Sequence, residues 1–375
     1  MYIGMAIFDS PETVTGGYLY NRTLVKYLRD MGHKVDIISQ PRPKYYLNIV
    51  SLGKHLRQLP LDVLIQDEAT HPAFFLVNQY LRTRVPYPII SIVHHLHSSE
   101  RCSAWQKRLY GEIERQYLMT IDGFIFNSQT TLRSVESIMG TKCPSIVAYP
   151  GGNRFSDCIT EEEIAIRSKD PGPLRILFVG NVIRRKEVHT LLEAIGQLPR
   201  DVCNLTVVGD LFMDKSYVRT IYRQVKENML TDRVSFLGSI PDNELITQFK
   251  ASHVLVMPSS YEGFGIVYLE GMGFGLPAIA STVGGACEII TQGRDGLLIP
   301  VGDTASLAGH LNDLHRDRDM LLSMSLNAYR RFESHPTWQM TAEGIQVFLK
   351  TIAASKIVQT YRQRRVELTA ADKNK

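Results

Sequence analysis

Cysteine is scarce in this sequence, and the few cysteines are scattered. There are five, with no Cys-x-x-Cys pair: Cys102, Cys143, Cys158, Cys203 and Cys287. This spacing argues against a disulfide framework or a structural zinc site and favours a reducing cytoplasm. The sequence also lacks an apolar run near the ~20 residues that a membrane span requires. Because residues 1–8 read as a strand without a basic flank or cleavage site, we expect no leader peptide.

A strong charge of either sign is absent as well. The formal net charge is +4, and it lies in residues 1–150, which contain 16 Lys and Arg against 12 Asp and Glu. That excess is too mild for a nucleic-acid-binding protein, and no aromatic–basic recognition motif accompanies it. It suits an anionic substrate or an acidic membrane surface. We therefore expect no nucleic-acid partner, and the basic N-terminal part is the candidate for peripheral contact with the inner face of a membrane.

Short β-rich runs alternate with helical patterns along all 375 residues, which predicts an α/β protein with parallel sheets. The length exceeds one usual core, so we expect two domains. A polar stretch from Pro150 to Pro173 is the expected interdomain linker, and residues 160–163 in it have a capping-box pattern. The predicted domains are two Rossmann-like units at 1–155 and 156–335, followed by helices at 336–375 that pack back toward the first. The predicted strands cover residues 2–8, 34–39, 62–66, 88–94 and 122–127, and then 174–180, 203–209, 233–237, 253–257, 277–281 and 297–300.

One apolar stripe has two interpretations. Tyr45, Ile49, Leu52, Leu56 and Leu59 fall on a single helical face, with charged and polar residues elsewhere on the helix. Such a helix either touches a membrane surface or covers its own sheet. The second arrangement is the commoner one.

Glu262 and Glu270 bracket the most informative segment, which reads Glu-Gly-Phe-Gly-Ile-Val-Tyr-Leu-Glu. The glycines at 263 and 265 follow a strand-like run and indicate a sharp turn with room for a ligand. The helix that begins next has free N–H groups and a positive dipole end at that turn. Two carboxylates beside such a turn suit a ligand with phosphates and several hydroxyls, for example a sugar nucleotide. The alternative is a strand–turn–helix with two surface glutamates.

Further glycine turns follow other predicted strands, at the sheet edge where parallel α/β folds bind ligands. The Gly16–Gly17 pair opens a helix after the first strand. Arg184, Arg185 and Lys186 form a basic cluster suited to a diphosphate, although a solvated charge run is the alternative. The remaining turns lie at 207–210 and 236–240, which we expect to line a nucleoside pocket, and at 284–288, whose N–H groups suit phosphate or sugar oxygens.

Two patterns that suggest metal binding are set aside. His94, His95 and His97 end a strand, but adjacent residues on an extended chain point to opposite faces. We expect one of these histidines to donate a hydrogen bond to substrate and another to be structural. Asp317-Arg-Asp319 matches the Asp-x-Asp string of metal-dependent sugar transferases, yet it lies in a helical stretch rather than at a strand end. We therefore expect no metal site and no bound cofactor.

Together these segments resemble the retaining glycosyltransferases of family 4, whose GT-B fold has two Rossmann-like domains facing a central cleft. The resemblance covers most of the chain and is strongest from Arg233 to Asp303. It implies a retaining, metal-independent transfer of a hexose-type sugar from a UDP- or GDP-sugar to a sugar, lipid-linked or small-molecule acceptor. The runs that carry it are 259–265 with the Glu-x7-Glu spacing, 271–277, 284–285 and 295–300, with 16–17, 32–36 and 126–128 in the first part of the chain.

The resemblance implies a role for each matching position. Glu262 contacts donor-sugar hydroxyls, Lys186 stabilises the leaving diphosphate and His94 contacts the donor. With Arg185 these residues form the predicted catalytic set, and Glu270 accepts hydrogen bonds from the ribose hydroxyls. The other expected donor contacts are Gly16, Gly17, Asn181, Gly209, Ile240, Gly263, Phe264, Gly265 and Ile266. The residues at which we look for acceptor contacts are His95, His97, Arg101 and Trp105.

Two departures from the family pattern matter. Asn181 stands where the family has an arginine, so Arg184 or Arg185 would have to supply the missing charge. Gly271 and Gly273 stand where alanines are usual, and each costs a helix interior about 0.5–1 kcal/mol. That predicts either a looser helix or close packing against it. The competing functions are another GT-B sugar-nucleotide enzyme, of the epimerase type, and a noncatalytic partner subunit with the same fold.

Overall fold

The computed structural model describes residues 1–8, 16–40, 49–96, 98, 104–155 and 159–354. The chain divides into two compact units. The first consists of Met1–Gly151 together with the residues from Pro336 onward, and the second is Gly152–His335. The first boundary lies a few residues before the expected one, and the last helix groups with the first unit.

The first unit contains a parallel sheet with the strand order β2-β1-β3-β4-β5-β6 in its described part. The strands are β1 (Tyr2–Phe8), β2 (Lys34–Gln40), β3 (Val63–Asp67), β4 (Ile89–Val93), β5 (Gly123–Phe126) and β6 (Ser145–Val147). The helices are α1 (Gly16–Asp30), α2 (Ile49–Gln58), α3 (His71–Leu81), α4 (Ala104–Leu118), α5 (Gln129–Met139) and α14 (Trp338–Ala354).

Continuous apolar runs explain the central strands of this sheet. Every residue of β3, β4 and β5 is buried, as expected for parallel strands covered by helices on both faces. The apolar stripe of α2 also belongs to the core of this unit, because Leu52 and Leu56 are buried in it and α2 packs against α3. The described side chains of the stripe therefore cover their own unit, while Tyr45 lies outside the described residues and the Ile49 side chain is not described.

The second unit contains a parallel sheet with the order β12-β11-β10-β7-β8-β9 in its described part. Its strands are β7 (Leu174–Val179), β8 (Cys203–Val208), β9 (Val234–Gly238), β10 (Val254–Met257), β11 (Ala278–Ser281) and β12 (Gly296–Ile299). Its helices are α6 (Glu161–Lys169), α7 (Val188–Gly196), α8 (Lys215–Glu227), α9 (Asp242–Ala251), α10 (Ile266–Met272), α11 (Ala286–Ile289), α12 (Thr304–Arg316) and α13 (Arg318–Glu333).

The expected linker is largely part of this second unit. Thr160 and Glu163 form the predicted capping box and start α6, which packs against α13. Ile164 and Arg167 of α6 are buried, and Arg167 donates a hydrogen bond to the carbonyl of Gly275 at 2.9 Å. The short helix indicated by the capping-box pattern is therefore present, and the feature that the sequence did not reveal is that one face of it is buried in the second unit.

Both sheets reverse their strand order at one point, between β1 and β3 in the first and between β7 and β10 in the second. At such a point the connections leave toward opposite faces and open a crevice beyond the carboxyl ends of the strands. The predicted α/β class and the eleven predicted strands are confirmed to within a residue or two. β6, a half-buried edge strand of three residues, was not predicted. Among the described residues, no helix combines the length and apolar character needed to cross a membrane.

Candidate functional site

A buried ion pair lies where the strand order of the second sheet reverses. Lys186 follows β7 and Glu262 follows β10, and these two strands are neighbours. The Lys186 Nζ is 2.5 Å from Glu262 Oε1. Arg185 adds a second cation, with its Nη1 3.6 Å from Glu262 Oε2 and donating to the Tyr261 carbonyl at 2.7 Å. The structure thus brings together three of the four predicted catalytic residues.

Glu262 is an anion held among cations. Its side chain is only 10% exposed, and burial by itself opposes ionisation. The charges of Lys186 and Arg185 outweigh that effect and lower the pKa of Glu262 to about 2. Glu262 is therefore a carboxylate at neutral pH, and the site carries two positive charges against one negative charge.

The backbone around Lys186 is strained at Glu187 and is held by hydrogen bonds to a neighbouring loop. Arg184–Lys186 form a single 3-10 turn, and the next residue, Glu187, has a left-handed φ of 54°. Such a conformation in a non-glycine residue costs about 1–3 kcal/mol and is found at functional sites. Ser260, in the loop after β10, connects that loop to the turn by two hydrogen bonds. Its N–H and its hydroxyl both donate to the Arg185 carbonyl, at 2.9 and 3.2 Å.

A glycine turn supports Glu262 from the other side. The Gly285 N–H donates to the Glu262 carbonyl at 2.8 Å. Gly284 has a φ of +78°, and a Cβ at that position would lie 2.0 Å from the same carbonyl oxygen. The 284–288 turn was expected to offer N–H groups to phosphate or sugar oxygens. That expectation is wrong for Gly285, whose N–H instead positions the backbone of Glu262.

We expect Gly284→Ala to destabilise the second unit by at least about 2 kcal/mol more than Gly302→Ala, because its methyl group must displace the Glu262 backbone. Gly302 is a matched control, since it has the same φ of +78° with no atom within 4 Å of an added Cβ. Urea unfolding followed by far-UV circular dichroism compares the two variants. Equal losses would show that only backbone strain at positive φ is being measured, and that the turn does not support Glu262.

The predicted donor-binding turn leads directly into α10. Gly265 is the N-cap residue of this helix and makes no side-chain capping bond. Phe264 before it is buried, and Gly263 and Ile266 lie on either side of this pair. Glu270 lies inside α10 and is buried. The two unusual glycines reflect close packing: a Cβ would lie 3.1 Å from Leu255 at Gly271, and 2.9 Å from Phe332 at Gly273.

Arg154 is a site residue that the sequence did not reveal. Its Nη1 donates to Glu270 Oε1 at 2.9 Å, and its other terminal nitrogen contacts Asp242. Burial raises the pKa of Glu270 above its ordinary value, and the charge of Arg154 only partly counteracts this. Arg154 stands in the stretch interpreted as a linker, where no spacing or motif marks it. The predicted ribose-binding carboxylate is thus already paired with a cation.

The remaining predicted donor contacts line neighbouring strand ends. The Asn181 side-chain oxygen accepts from the Asp210 N–H at 3.4 Å, and Gly209 lies against the carbonyl of Gly180. Ile240 is half-buried just before α9. Of the two candidates to replace the missing arginine, Arg185 reaches Glu262, whereas the Arg184 guanidinium lies 5.8 Å from the Tyr217 ring centroid.

In the first unit, His94 lies at the end of β4 against the first turn of α1. A Cβ on Gly17 would be 3.0 Å from its Cδ2, and Gly16 begins the helix. His95 is half-buried. Trp105 is 68% exposed in the first turn of α4, while His97 and Arg101 lie outside the described residues.

One of the two metal-like patterns, Asp317-Arg-Asp319, lies at the start of α13, while His97 of the other lies outside the described residues. The described residues contain no group of three or more His, Cys, Asp or Glu side chains placed to hold a metal ion. Asp317 is the N-cap residue of α13 and accepts from the Met320 N–H at 2.8 Å. Its place in the Asp-x-Asp string is therefore explained by helix capping.

Comparison with known proteins agrees with this geometry. The family model for glycosyl transferases group 1 matches residues 159–331. The D-inositol 3-phosphate glycosyltransferase of Nocardia farcinica is 28% identical over 240 residues, which is 62% of this chain and 53% of that protein. The chain spans about half the length of the first curated relatives that it matches.

Two solved structures share the fold over nearly the whole chain. Sucrose-phosphate synthase from Thermosynechococcus elongatus gives a TM-score of 0.80 at 22% identity and covers 94% of this chain and 100% of its own. Anabaena HepE in complex with UDP and glucose gives 0.73 at 20% identity, covering 93% and 99%. The chain therefore has the GT-B fold of these structures, and the match to the group 1 glycosyl transferases covers residues 159–331, just under half of its length.

Proposed function

We propose that this protein is a retaining, metal-independent glycosyltransferase that moves a hexose-type sugar from a UDP- or GDP-sugar to an acceptor. The observation that carries the proposal is the buried Lys186–Glu262 pair with Arg185 beside it, at the strand-order reversal of the second sheet. Ligands of doubly wound sheets bind at such points. HepE, whose fold this chain shares, binds UDP and glucose, which supports a nucleotide-sugar donor.

Charge balance supports a diphosphate ligand. Glu262 neutralises only one of the two cations that surround it, so Lys186 and Arg185 retain positive charge for an incoming anion. Lysine binds phosphate as a compact point charge, and arginine binds it through a planar fork of donors. In the proposed reaction these two side chains hold the charge that develops on the departing diphosphate, a role that metal ions play in other transferases.

The proposed chemical step keeps the configuration at the anomeric carbon. The bond from that carbon to the distal phosphate oxygen breaks, and a bond to the acceptor oxygen forms on the same face of the sugar. The acceptor hydroxyl gives its proton to the departing phosphate oxygen, so the nucleoside diphosphate leaves with it. In this scheme Glu262 accepts hydrogen bonds from donor-sugar hydroxyls and fixes the anomeric centre, while Glu270 receives the ribose.

The alternative functions make different demands on the same residues. A noncatalytic subunit would not need Lys186 and Glu262 paired inside a strained, anchored turn. An epimerase-like enzyme would use the same donor pocket without passing the sugar to an acceptor.

Free thiols at Cys203 and Cys287 suit the cytoplasm as the place of action. The acceptor is a sugar, a lipid-linked sugar or another small molecule, and contact with a membrane surface belongs to the lipid-linked case.

A panel of donors tests the proposal. The full chain is melted with UDP, GDP and their common sugar conjugates, without added metal and with a chelator present. A ligand held at 100 times its dissociation constant adds about 2.7 kcal/mol of stability, so one nucleotide series should raise the Tm clearly. The stabilising sugar nucleotide is then incubated with sugar and lipid-linked acceptors, and the configuration of the product is read by proton NMR.

Each result of this panel bears on a distinct part of the proposal. Retained configuration in the presence of chelator supports it in full. An inverted product contradicts the proposed step, and dependence on a divalent metal contradicts the role given to Lys186 and Arg185. Strong donor binding without transfer to any acceptor would favour the noncatalytic subunit, whereas conversion of the donor sugar to its epimer would favour the epimerase.

A further inference from the structure

A buried polar chain joins three elements at the strand-order reversal of the first sheet. Asp67 ends β3, His94 follows β4, and Asn21 lies on α1, which follows β1. The strands β1, β3 and β4 are adjacent and parallel, so their carboxyl ends share one edge. Asn21 Nδ2 donates to Asp67 Oδ2 at 2.5 Å, and His94 Nε2 is 3.1 Å from Asn21 Oδ1. Neither Asn21 nor Asp67 stands in a motif that the sequence singled out.

The chemistry of these groups fixes the direction of the hydrogen bonds. An ionised carboxylate only accepts, and the other Asp67 oxygen already accepts from the Ala69 N–H at 2.9 Å. Asn21 must therefore turn its NH2 group to Asp67 and its carbonyl oxygen to His94. An amide oxygen only accepts as well, so the proton on His94 must be at Nε2.

The environment of the ring leaves the other nitrogen for a ligand. Burial lowers the pKa of His94 and has a larger effect than the nearby Asp67 carboxylate, which favours a charged ring. The neutral ring is therefore favoured. A neutral imidazole with its proton on Nε2 presents Nδ1 as an acceptor. No described residue donates to His94 Nδ1, and the side chain is 13% exposed. The Tyr20 ring lies edge-on at 5.2 Å between centroids and restricts the tilt of the imidazole.

We propose that Asp67 and Asn21 are positioning residues that hold His94 in the Nε2–H tautomer, so that its Nδ1 accepts a hydrogen bond from a substrate hydroxyl. The inference rests on the proposed sugar transfer, because sugars supply such hydroxyl donors. It reverses the direction expected from the sequence, in which the histidine donates to substrate. It also gives a function to a buried aspartate that the Lys186–Glu262 site does not use.

Asp67→Asn should switch the tautomer. The side-chain oxygen of the introduced asparagine would keep the bond from the Ala69 N–H, and its NH2 group would turn toward Asn21. Asn21 would then present its own NH2 to His94, whose Nε2 would have to accept, which moves the ring proton to Nδ1. Long-range proton–nitrogen spectra of the full chain labelled in histidine report the tautomer at pH 7.5, with the His94 signals assigned by His94→Gln. We expect Nε2–H in the wild type, Nδ1–H in the variant, and about a 100-fold lower kcat.

Asp122→Asn is the matched control. Asp122 is also buried in the first unit, but it lies at the opposite edge of the sheet, where it accepts from the Ile89 N–H at 2.9 Å. It should leave the His94 tautomer and kcat unchanged, and melting curves establish that both variants fold. An Nδ1–H or doubly protonated His94 in the wild type, or an unchanged tautomer in Asp67→Asn, would overturn the inference. A tautomer switch in a protein that transfers no sugar would support the positioning role and refute the proposed function.

Discussion

Replacing Lys186 with methionine is expected to lower kcat for sugar transfer by about 10²–10³-fold, the usual effect of removing one preorganised group that stabilises developing charge. The side chain is buried against Glu262, so its charge is held in place before the donor arrives. Arg185 alone would then face the departing diphosphate while also paired with Glu262. Steady-state kinetics with the donor identified by the binding panel measure the effect.

The same substitution has a stability signature that depends on pH. In the wild type the pKa of Glu262 is lowered from 4.5 to about 2, so the pair contributes stability above about pH 4.5 that is lost as the pH falls toward 2. Without Lys186 that pKa rises, because a buried carboxylate loses its nearest cation. The free energy of unfolding should fall by about 3 kcal/mol above pH 5, and the difference from wild type should shrink toward pH 3.

A double variant separates stability from catalysis. Lys186→Met combined with Glu262→Gln removes both charges, so it should be more stable than Lys186→Met alone while remaining as inactive. Lys169 and Asp319 provide the matched control, an exposed ion pair of the same unit at 3.4 Å. The corresponding Lys169→Met should cost less than about 1 kcal/mol and leave kcat unchanged. Recovery of kcat in the double variant would show that Lys186 serves only to neutralise Glu262.

The Lys186–Glu262 pair was predictable as part of one site because both residues follow strands. Lys186 and Glu262 each lie a few residues beyond an apolar run, and parallel strands place such turns at one edge. Their spacing of 76 residues becomes a 2.5 Å contact only through the strand order, in which β7 and β10 are neighbours. The sequence indicates that strands alternate with helices, but it does not give the order of the strands within a sheet, which depends on how the helices pack on its two faces. The expectation that Lys186 and Glu262 share one site therefore came from the family resemblance.

The residues that escaped prediction act through partners distant in sequence. Arg154 reaches Glu270 across 116 residues from a stretch without secondary structure, and Asn21 reaches Asp67 across 46. A single arginine or asparagine carries no periodicity, so only the fold shows what it contacts. The Gly284–Gly285 turn was recognised, but the N–H of Gly285 donates to the backbone of Glu262 and not to a ligand. Glycine marks close backbone approach, and sequence alone does not tell whether a ligand or another part of the chain approaches.

Arg154→Met is expected to destabilise the second unit by about 3 kcal/mol at pH 8, because it leaves Glu270 buried without its cation. Burial already raises the pKa of Glu270 above 4.5, so protonation favours the native state. Stability from this group is fully present below about pH 4.5 and is lost as the pH rises through the native pKa. Removing Arg154 raises that pKa further, so the loss relative to wild type should grow from pH 5 to pH 8.

Asp242→Asn isolates the contribution of Glu270, because Asp242 is the other partner of Arg154 and is 60% exposed. It should cost less than about 1 kcal/mol, with little dependence on pH. Urea unfolding followed by circular dichroism at pH 5 and pH 8 gives the free energies. Without Arg154 the Glu270 carboxylate loses the cation that orients it, so the nucleotide that stabilises the wild type should bind Arg154→Met about tenfold more weakly, a loss of about 1.4 kcal/mol. A loss of stability equal at both pH values would mean that Arg154 acts through packing and not through the charge of Glu270.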